Sequence, residues 1–84
     1  MANTQVNTLI QQIQAFGFTY NKDALGVYFN NGEYRISVVY HGPGYLNFVN
    51  KATPLGWQLL KKSDFFLNYQ DALAWVLTEA PNTP

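Results

Sequence analysis

The spacing of apolar residues changes twice along this 84-residue chain. Near the start, apolar residues recur every three or four positions, as in a helix with one buried side. From Phe18 to Lys62, short β-branched and aromatic runs alternate with polar residues and turn residues, which is typical of strands. Helical spacing returns after Asn68. This order predicts the α+β class, with helices at both ends of a run of strands.

The first helix is predicted over about residues 4 to 16. Gly17 suits the left-handed position after a last helical turn, and Phe18 can fold back onto Ile13 in a Schellman-type contact. The apolar side of this helix consists of Val6, Leu9, Ile10, Ile13 and Phe16.

The middle of the chain predicts an antiparallel meander. Asn30-Asn31-Gly32 favours a hairpin, because Asn and Gly tolerate the positive φ of a type I′ turn, and His41-Gly42-Pro43-Gly44 predicts a second turn. The expected strands are 25–29, 33–40 and 45–50, with a fourth strand at 57–62 whose inward face the pattern leaves open.

Alternation assigns each strand two faces. The inward set is expected to include Tyr34, Ile36, Val38 and Tyr40 on one strand, with Leu46 and Phe48 on the next. We expect the core to contain Phe16, Phe29, Tyr34, Ile36, Phe48 and Leu73. The outer face is expected to carry Tyr28, Glu33, Arg35, Ser37, Val39, Tyr45, Asn47 and Val49.

The last helix is predicted from about Asn68 to Ala80. Asn68 is a suitable N-cap, Asp71 suits the helix dipole, and Pro81 ends the helix. Helical spacing places Trp75 at the boundary of the apolar side. Residues 1–80 are therefore interpreted as one domain, and residues 81–84 as a disordered tail.

The predicted architecture is an antiparallel sheet of three to four strands, a meander, with an N-terminal and a C-terminal helix packed on one face in the order α-β-β-β-(β)-α. A chain of this size buries only about 60% of its unfolded surface. It has no cysteine but 14 aromatic residues, so aromatic packing or self-association is expected to supply the stability that disulfides give other small domains.

The charge balance bears on partners. Five basic and five acidic residues cancel, while nine Asn and six Gln keep the surface polar. This balance disfavours nucleic acid as a partner, because phosphate binding usually concentrates Lys and Arg on one surface. No apolar run approaches the roughly 20 residues that span a membrane, and we expect no secretory signal, because Met-Ala-Asn-Thr is neither basic nor followed by an apolar region. We expect a cytoplasmic protein with no membrane contact.

Few residues of this chain are candidates for catalysis. His41 is the only imidazole and lies in a predicted turn, and no Cys is available as a nucleophile or metal ligand. Gly42-Pro43-Gly44 lacks the helix that a dinucleotide-binding turn leads into. We predict no catalytic residue, no metal and no cofactor, and the role of His41 stays open.

The element order is similar to that of double-stranded RNA-binding domains. Those domains place a cluster of Lys at the start of the last helix, where this chain has Asn68-Tyr69-Gln70-Asp71. An acidic residue there would repel phosphate, so the resemblance does not carry the RNA-binding function.

The remaining hypothesis is a small non-enzymatic domain that binds a protein partner or itself, as accessory or regulatory proteins of bacteria and phages do. Tyr and Trp are enriched at such surfaces. The alternative is a single-strand nucleic-acid binder that stacks bases on sheet aromatics, which zero net charge disfavours. The candidate partner-binding residues are Tyr28, Arg35, Val39, Tyr45, Val49 and Trp75.

Overall fold

Two helices pack on one face of a five-stranded antiparallel sheet in the computed structural model, which describes residues 4–83. Neighbouring strands in the sheet are consecutive in the chain, which confirms the predicted meander and α+β class. The elements are α1 (Thr4–Gln14), β1 (Thr19–Asp23), β2 (Gly26–Asn30), β3 (Tyr34–His41), β4 (Gly44–Thr53), β5 (Gly56–Lys62) and α2 (Tyr69–Glu79), followed by a 3₁₀ turn (Ala80–Asn82).

Strand β1 was not predicted. Its sequence, TYNKD, has one large apolar residue and four exposed ones, so it carries no alternating apolar signal. It forms because it pairs with β2 along its whole length, while Tyr20 packs its ring 5.4 Å from that of Phe29. The Asp23 carboxylate accepts hydrogen bonds from the backbone N–H groups of Leu25 and Gly26, which fixes the turn into β2.

The hairpin between β2 and β3 is confirmed, but its turn is not type I′. That turn needs positive φ at two successive residues, and among the described residues only glycines, including Gly32, have positive φ. Asn31 instead uses its side chain, whose oxygen accepts hydrogen bonds from the N–H groups of Glu33 and Tyr34.

The predicted faces of β4 are wrong. Gly42 and Pro43 alone separate β3 from β4, so Tyr40 pairs directly with Tyr45, and paired residues share a face. The same register pairs inward Val38 and Ile36 with Asn47 and Val49. The residues Tyr45, Asn47 and Val49 therefore face the helices, and Leu46 and Phe48 face away from them.

Asn47 is fully buried by this arrangement, although it is polar. Its side-chain nitrogen donates to the Ala72 carbonyl of α2 at 2.9 Å, and its backbone N–H donates to the Ser63 hydroxyl at 2.9 Å. The side-chain oxygen has no hydrogen-bond partner among the described residues. Asn47 thus ties the sheet to α2 through its side chain and to the segment that precedes α2 through its backbone N–H.

The core lies between the helices and the sheet. Four predicted core residues, Phe29, Tyr34, Ile36 and Leu73, are buried there. The prediction that Phe16 lies in the core is wrong, because α1 ends at Gln14 and leaves Phe16 half exposed in the following turn. Phe48 is also outside the core. The buried apolar set is Ile13, Phe18, Val27, Phe29, Tyr34, Ile36, Val38, Val49, Ala72, Leu73, Val76 and Ala80.

The C-terminal part of the chain agrees in part with the prediction from the sequence. The Asn68 side chain accepts a hydrogen bond from the Gln70 N–H at 2.8 Å and caps α2, which ends before Pro81. Pro81 and Asn82 then belong to the 3₁₀ turn, where the Asn82 side chain donates to the Thr78 carbonyl. Disorder of 81–84 stays a prediction, and residue 84 lies outside the described range.

Candidate functional site on the open face of the sheet

The helices cover one face of the sheet and leave the other open. We call this second face the open face. Its residues occupy alternate positions of the five strands, opposite to the buried ones. Its larger side chains, in order along the chain, are Tyr28, Arg35, Val39, Leu46, Phe48, Trp57, Leu59 and Lys62.

Arg35 lies on the central strand, between two aromatic rings. Its guanidinium carbon is 4.5 Å from the ring centroid of Trp57 and 5.7 Å from that of Tyr28. The weakly hydrated, planar guanidinium suits stacking on rings, and each such contact contributes about 0.5–1 kcal/mol at an exposed site. The buried Nε of Arg35 has no hydrogen-bond partner within residues 4–83. This cation is therefore positioned by side chains from two other strands, β2 and β5.

A polar depression of about 310 Å³ adjoins Arg35. The Asp23 carboxylate on its wall accepts a hydrogen bond from the Tyr28 hydroxyl at 3.2 Å. Desolvation, and after it this hydrogen bond, raise the pKa of Tyr28 above its ordinary value, so the phenol stays a neutral donor. The depression is lined by Asn21, Asp23, Tyr28, Asn30 and Arg35, whose charges cancel.

Apolar side chains surround this polar centre. Val39, Leu46 and Phe48 are half-buried, and Trp57 and Leu59 are exposed. Ser37 is almost inaccessible because it lies in the row between Tyr28 and Phe48. Aromatic and aliphatic groups around a few polar ones are the composition of protein-binding patches.

The six predicted partner-binding residues lie on two sides of the sheet. Tyr28, Arg35 and Val39 share the open face. The other three face the helix layer, where Val49 is buried and the ring of Tyr45 lies 5.2 Å from that of Tyr69.

Trp75 is half-buried against the core, with the Lys61 ammonium 5.9 Å from its ring. Binding through any of the six stays a prediction, but one flat surface cannot include them all.

Tyr69 of α2 lies beside Tyr45 in a cluster of tyrosines on the helix side of the sheet. Burial, followed by the neighbouring phenols of Tyr20, Tyr40 and Tyr45, raises the pKa of Tyr69 well above its ordinary value. The Tyr69 hydroxyl therefore stays neutral, and the tyrosine cluster packs between α2 and the sheet.

Sequence reasoning missed Trp57, Leu59 and Asp23 as members of the open face. A signal for the first two was present, because Trp57 and Leu59 are two positions apart in a strand and must share a face. Their closeness to Arg35 depends on the pairing of β4 with both neighbouring strands, which no local pattern reports.

The charges are segregated along the chain, although they cancel overall. Residues 34–63 contain four basic residues and no acidic one, whereas all five acidic residues lie outside that range. Because this range comprises β3, β4 and β5, the basic groups collect towards one edge of the sheet.

His41 is exposed, and its ring lies 6.1 Å from that of Phe65 in an edge-on contact. In residues 4–83, no three carboxylate or imidazole groups converge as metal ligands. The helices of the same range are too short and too polar to cross a membrane. A second concavity of about 310 Å³ lies between α1 and α2 and is lined mainly by Thr and Gln side chains.

Comparison with known proteins identifies no relative, since no protein-family model matches the chain and no curated protein or solved structure matches it significantly. The geometry of the open face is therefore the basis for assigning a function.

Proposed function

We propose that this chain is a small non-enzymatic interaction domain and that the open face of its sheet binds a protein. The observation that carries the proposal is Arg35, which stands between Tyr28 and Trp57 on a face that no element among residues 4–83 covers. Trp, Tyr and Arg are the residues most enriched at binding hot spots.

The arrangement lowers the cost of association. Arg35 is half-buried and already oriented by two rings, so less side-chain freedom and less hydration are lost when a partner covers it. Self-association through the same face is the second form of this proposal. A cytoplasmic location and a bacterial or phage origin stay predictions from the sequence.

The test is affinity capture with the full chain and matched charge-reversal variants. Arg35→Glu should lose a partner that the wild type captures from its host lysate, whereas Lys22→Glu should retain it. Lys22 is the matched control because it is an exposed base of β1 whose paired residue, Val27, faces the core. Circular dichroism should show both variants folded. Capture of the same partners by Arg35→Glu, with no change in sedimentation of the free chain, would refute the proposal.

A second candidate function is single-strand nucleic-acid binding. One observation favours it: Arg35 and Lys62 share the open face with Tyr28, Phe48 and Trp57. Base stacking on such rings contributes about 1–3 kcal/mol per base. A titration with a fluorescent thymidine oligonucleotide at low salt separates the two candidates. Protein binding predicts no saturable signal, whereas nucleic-acid binding predicts quenched Trp emission and a steep salt dependence.

A further inference from the structure

Strand β5 forms an edge of the sheet and is exposed along its whole length. It pairs only with β4, so the backbone N–H and C=O groups on its other side have no strand partner within residues 4–83. All seven of its residues are exposed, including the apolar side chains of Trp57, Leu59 and Leu60. Leu55 in the preceding turn is fully exposed. An exposed apolar edge strand is a template for another strand.

The opposite edge, β1, is different. It presents Thr, Asn, Lys and Asp to solvent, and its single ring, Tyr20, packs on Phe29. Charged and short edges of this kind discourage pairing. The apolar side chains are therefore concentrated at one of two available edges.

The charge on the β5 side restricts what can cover it. Lys61 is used internally, because its ammonium binds the Glu79 carboxylate of α2 at 3.0 Å. Lys51 on β4 and Lys62 on β5 have no ion-pair partner among the described residues. Two copies of β5 placed edge to edge would bring lysines of both copies close together. This is unfavourable, because residues 34–63 contain no acidic residue that could neutralise them.

The ladder between β4 and β5 is also irregular. Val49 pairs with Lys61 and Asn50 with Leu59, so Leu60 is the extra residue of a β-bulge. Regular pairing with β4 covers Gly56–Leu59 and resumes after the bulge only at Lys61 and Lys62. A bulge and nearby lysines are devices that keep edges from pairing with copies of themselves, so a second copy is the less favoured occupant.

We propose that β5 docks an extended acidic segment of a partner protein, which adds to the sheet beside Gly56–Leu59. This inference rests on the proposed function and specifies its partner. Main-chain hydrogen bonds would supply affinity, and side chains at alternate positions would supply specificity. Apolar residues of the segment lie beside Trp57 and Leu59 on the open face, and carboxylates at the alternate positions lie on the helix side, towards Lys51. Lys62 lies on the open face beyond the bulge and attracts the acidic segment from there.

The probe is a short fluorescein-labelled peptide of alternating Glu and Val, titrated by anisotropy into the full chain. Two control peptides isolate the mechanism: alternating Lys and Val reverses the charge, and the Glu-Val peptide N-methylated at alternate nitrogens cannot form the ladder. The Glu-Val peptide should bind saturably, and each control should bind at least about tenfold more weakly, equal to about 1.4 kcal/mol.

Matched variants locate the site on the protein. Lys62→Glu should weaken Glu-Val binding about tenfold, whereas Lys22→Glu makes the same charge change at the other edge and should have little effect. Amide hydrogen exchange should slow in β5 on binding and stay unchanged in β1. Leu59→Asp provides a second test at the apolar contact, with its fold checked by circular dichroism.

Four outcomes would overturn the β5 proposal. They are no saturable binding, equal binding of the N-methylated peptide, equal binding of the Lys-Val peptide, and tighter Lys62-dependent binding of a thymidine oligonucleotide. The broader proposal fails separately. If Arg35→Glu abolishes capture of a native partner while Lys62→Glu and Leu59→Asp do not, the open face binds protein and β5 is not the docking edge.

Discussion

Replacing Asn47 by Asp tests the packing of the sheet on α2 most directly. The amide nitrogen of Asn47 donates to the Ala72 carbonyl at 2.9 Å, in a site with no solvent exposure. Asp has the same shape, but ionised it places a carboxylate oxygen against that carbonyl oxygen. A buried charge without a partner costs about 3–5 kcal/mol. The stability expected for 84 residues is only about 4–13 kcal/mol.

Urea unfolding monitored by fluorescence measures the loss. With a slope of about 1 kcal/mol/M for a chain this small, the midpoint of Asn47→Asp should fall by about 3 M or more at pH 7. Asn47→Ala removes one hydrogen bond and opens a small cavity, but also removes the unpartnered side-chain oxygen. We expect it to cost about 1–2 kcal/mol, which keeps the test usable if the Asp variant does not fold.

The pH dependence identifies the cause. Burial raises the pKa of a carboxyl group in the folded state, so the folded variant holds its proton where the unfolded chain has lost it. The relative stability of Asn47→Asp should therefore be highest below about pH 4 and should fall as the pH rises. Once protonated, the Asp hydroxyl can donate to the Ala72 carbonyl and restore the contact.

Asn50→Asp is the matched control, because Asn50 lies on the same strand, is half-buried, and pairs with Arg35 on the open face. It should change stability by no more than about 0.5 kcal/mol, as surface substitutions do. If the two Asp variants lose the same stability at pH 7, or if the loss at position 47 does not shrink in acid, the deduced facing of β4 is wrong.

Three further predictions follow from the same structure. Val39→Arg should leave the circular dichroism spectrum and unfolding midpoint nearly unchanged while abolishing partner capture. Tyr45→Arg should unfold the domain, because Tyr45 faces α2. Equal stabilities of the two variants would contradict the assignment of these residues to opposite faces of the sheet. Since the pKa of Tyr69 is raised on folding, stability should fall above about pH 10 by up to 1.4 kcal/mol per pH unit. Tyr69→Phe should flatten that alkaline decline, and a slope equal to that of the wild type would refute it. Gly44→Ala should cost about 2–3 kcal/mol in urea, because an added Cβ overlaps the backbone of the segment leading into α2. Gly42→Ala meets open space and should lose only the roughly 1–2 kcal/mol of its left-handed backbone.

The sequence determined the helices and most of the strands, because their signals are local. Helical spacing and Gly17 define α1 to within two residues of its end, and Asn68 caps α2 as its side chain predicts. The turn residues around Gly32 and Gly42 place the first two predicted hairpins. Each of these choices depends on neighbours within a few positions, which a linear pattern contains.

Only the tertiary structure decided which side of β4 is buried. Leu46 and Phe48 are more apolar than Tyr45, Asn47 and Val49, so hydrophobicity alone favours the wrong face. Pairing across the Gly42 turn overrides that preference, and the hydrogen bond from the Asn47 side chain to the Ala72 carbonyl of α2 lowers the cost of burying its amide. The two-residue turn was visible in the sequence, but its consequence appears only when both strands are placed together.

About half of the candidate site could be predicted from the sequence. Tyr28, Arg35 and Val39 follow from alternation on strands whose inward faces are plainly apolar. Trp57 reaches Arg35 because β4 lies between their strands, and the polar strand β1 brings Asp23 beside Tyr28. Local spacing fixes which residues share one strand's face, whereas pairing between distant segments fixes which faces meet; the cation between two rings exists only through that pairing.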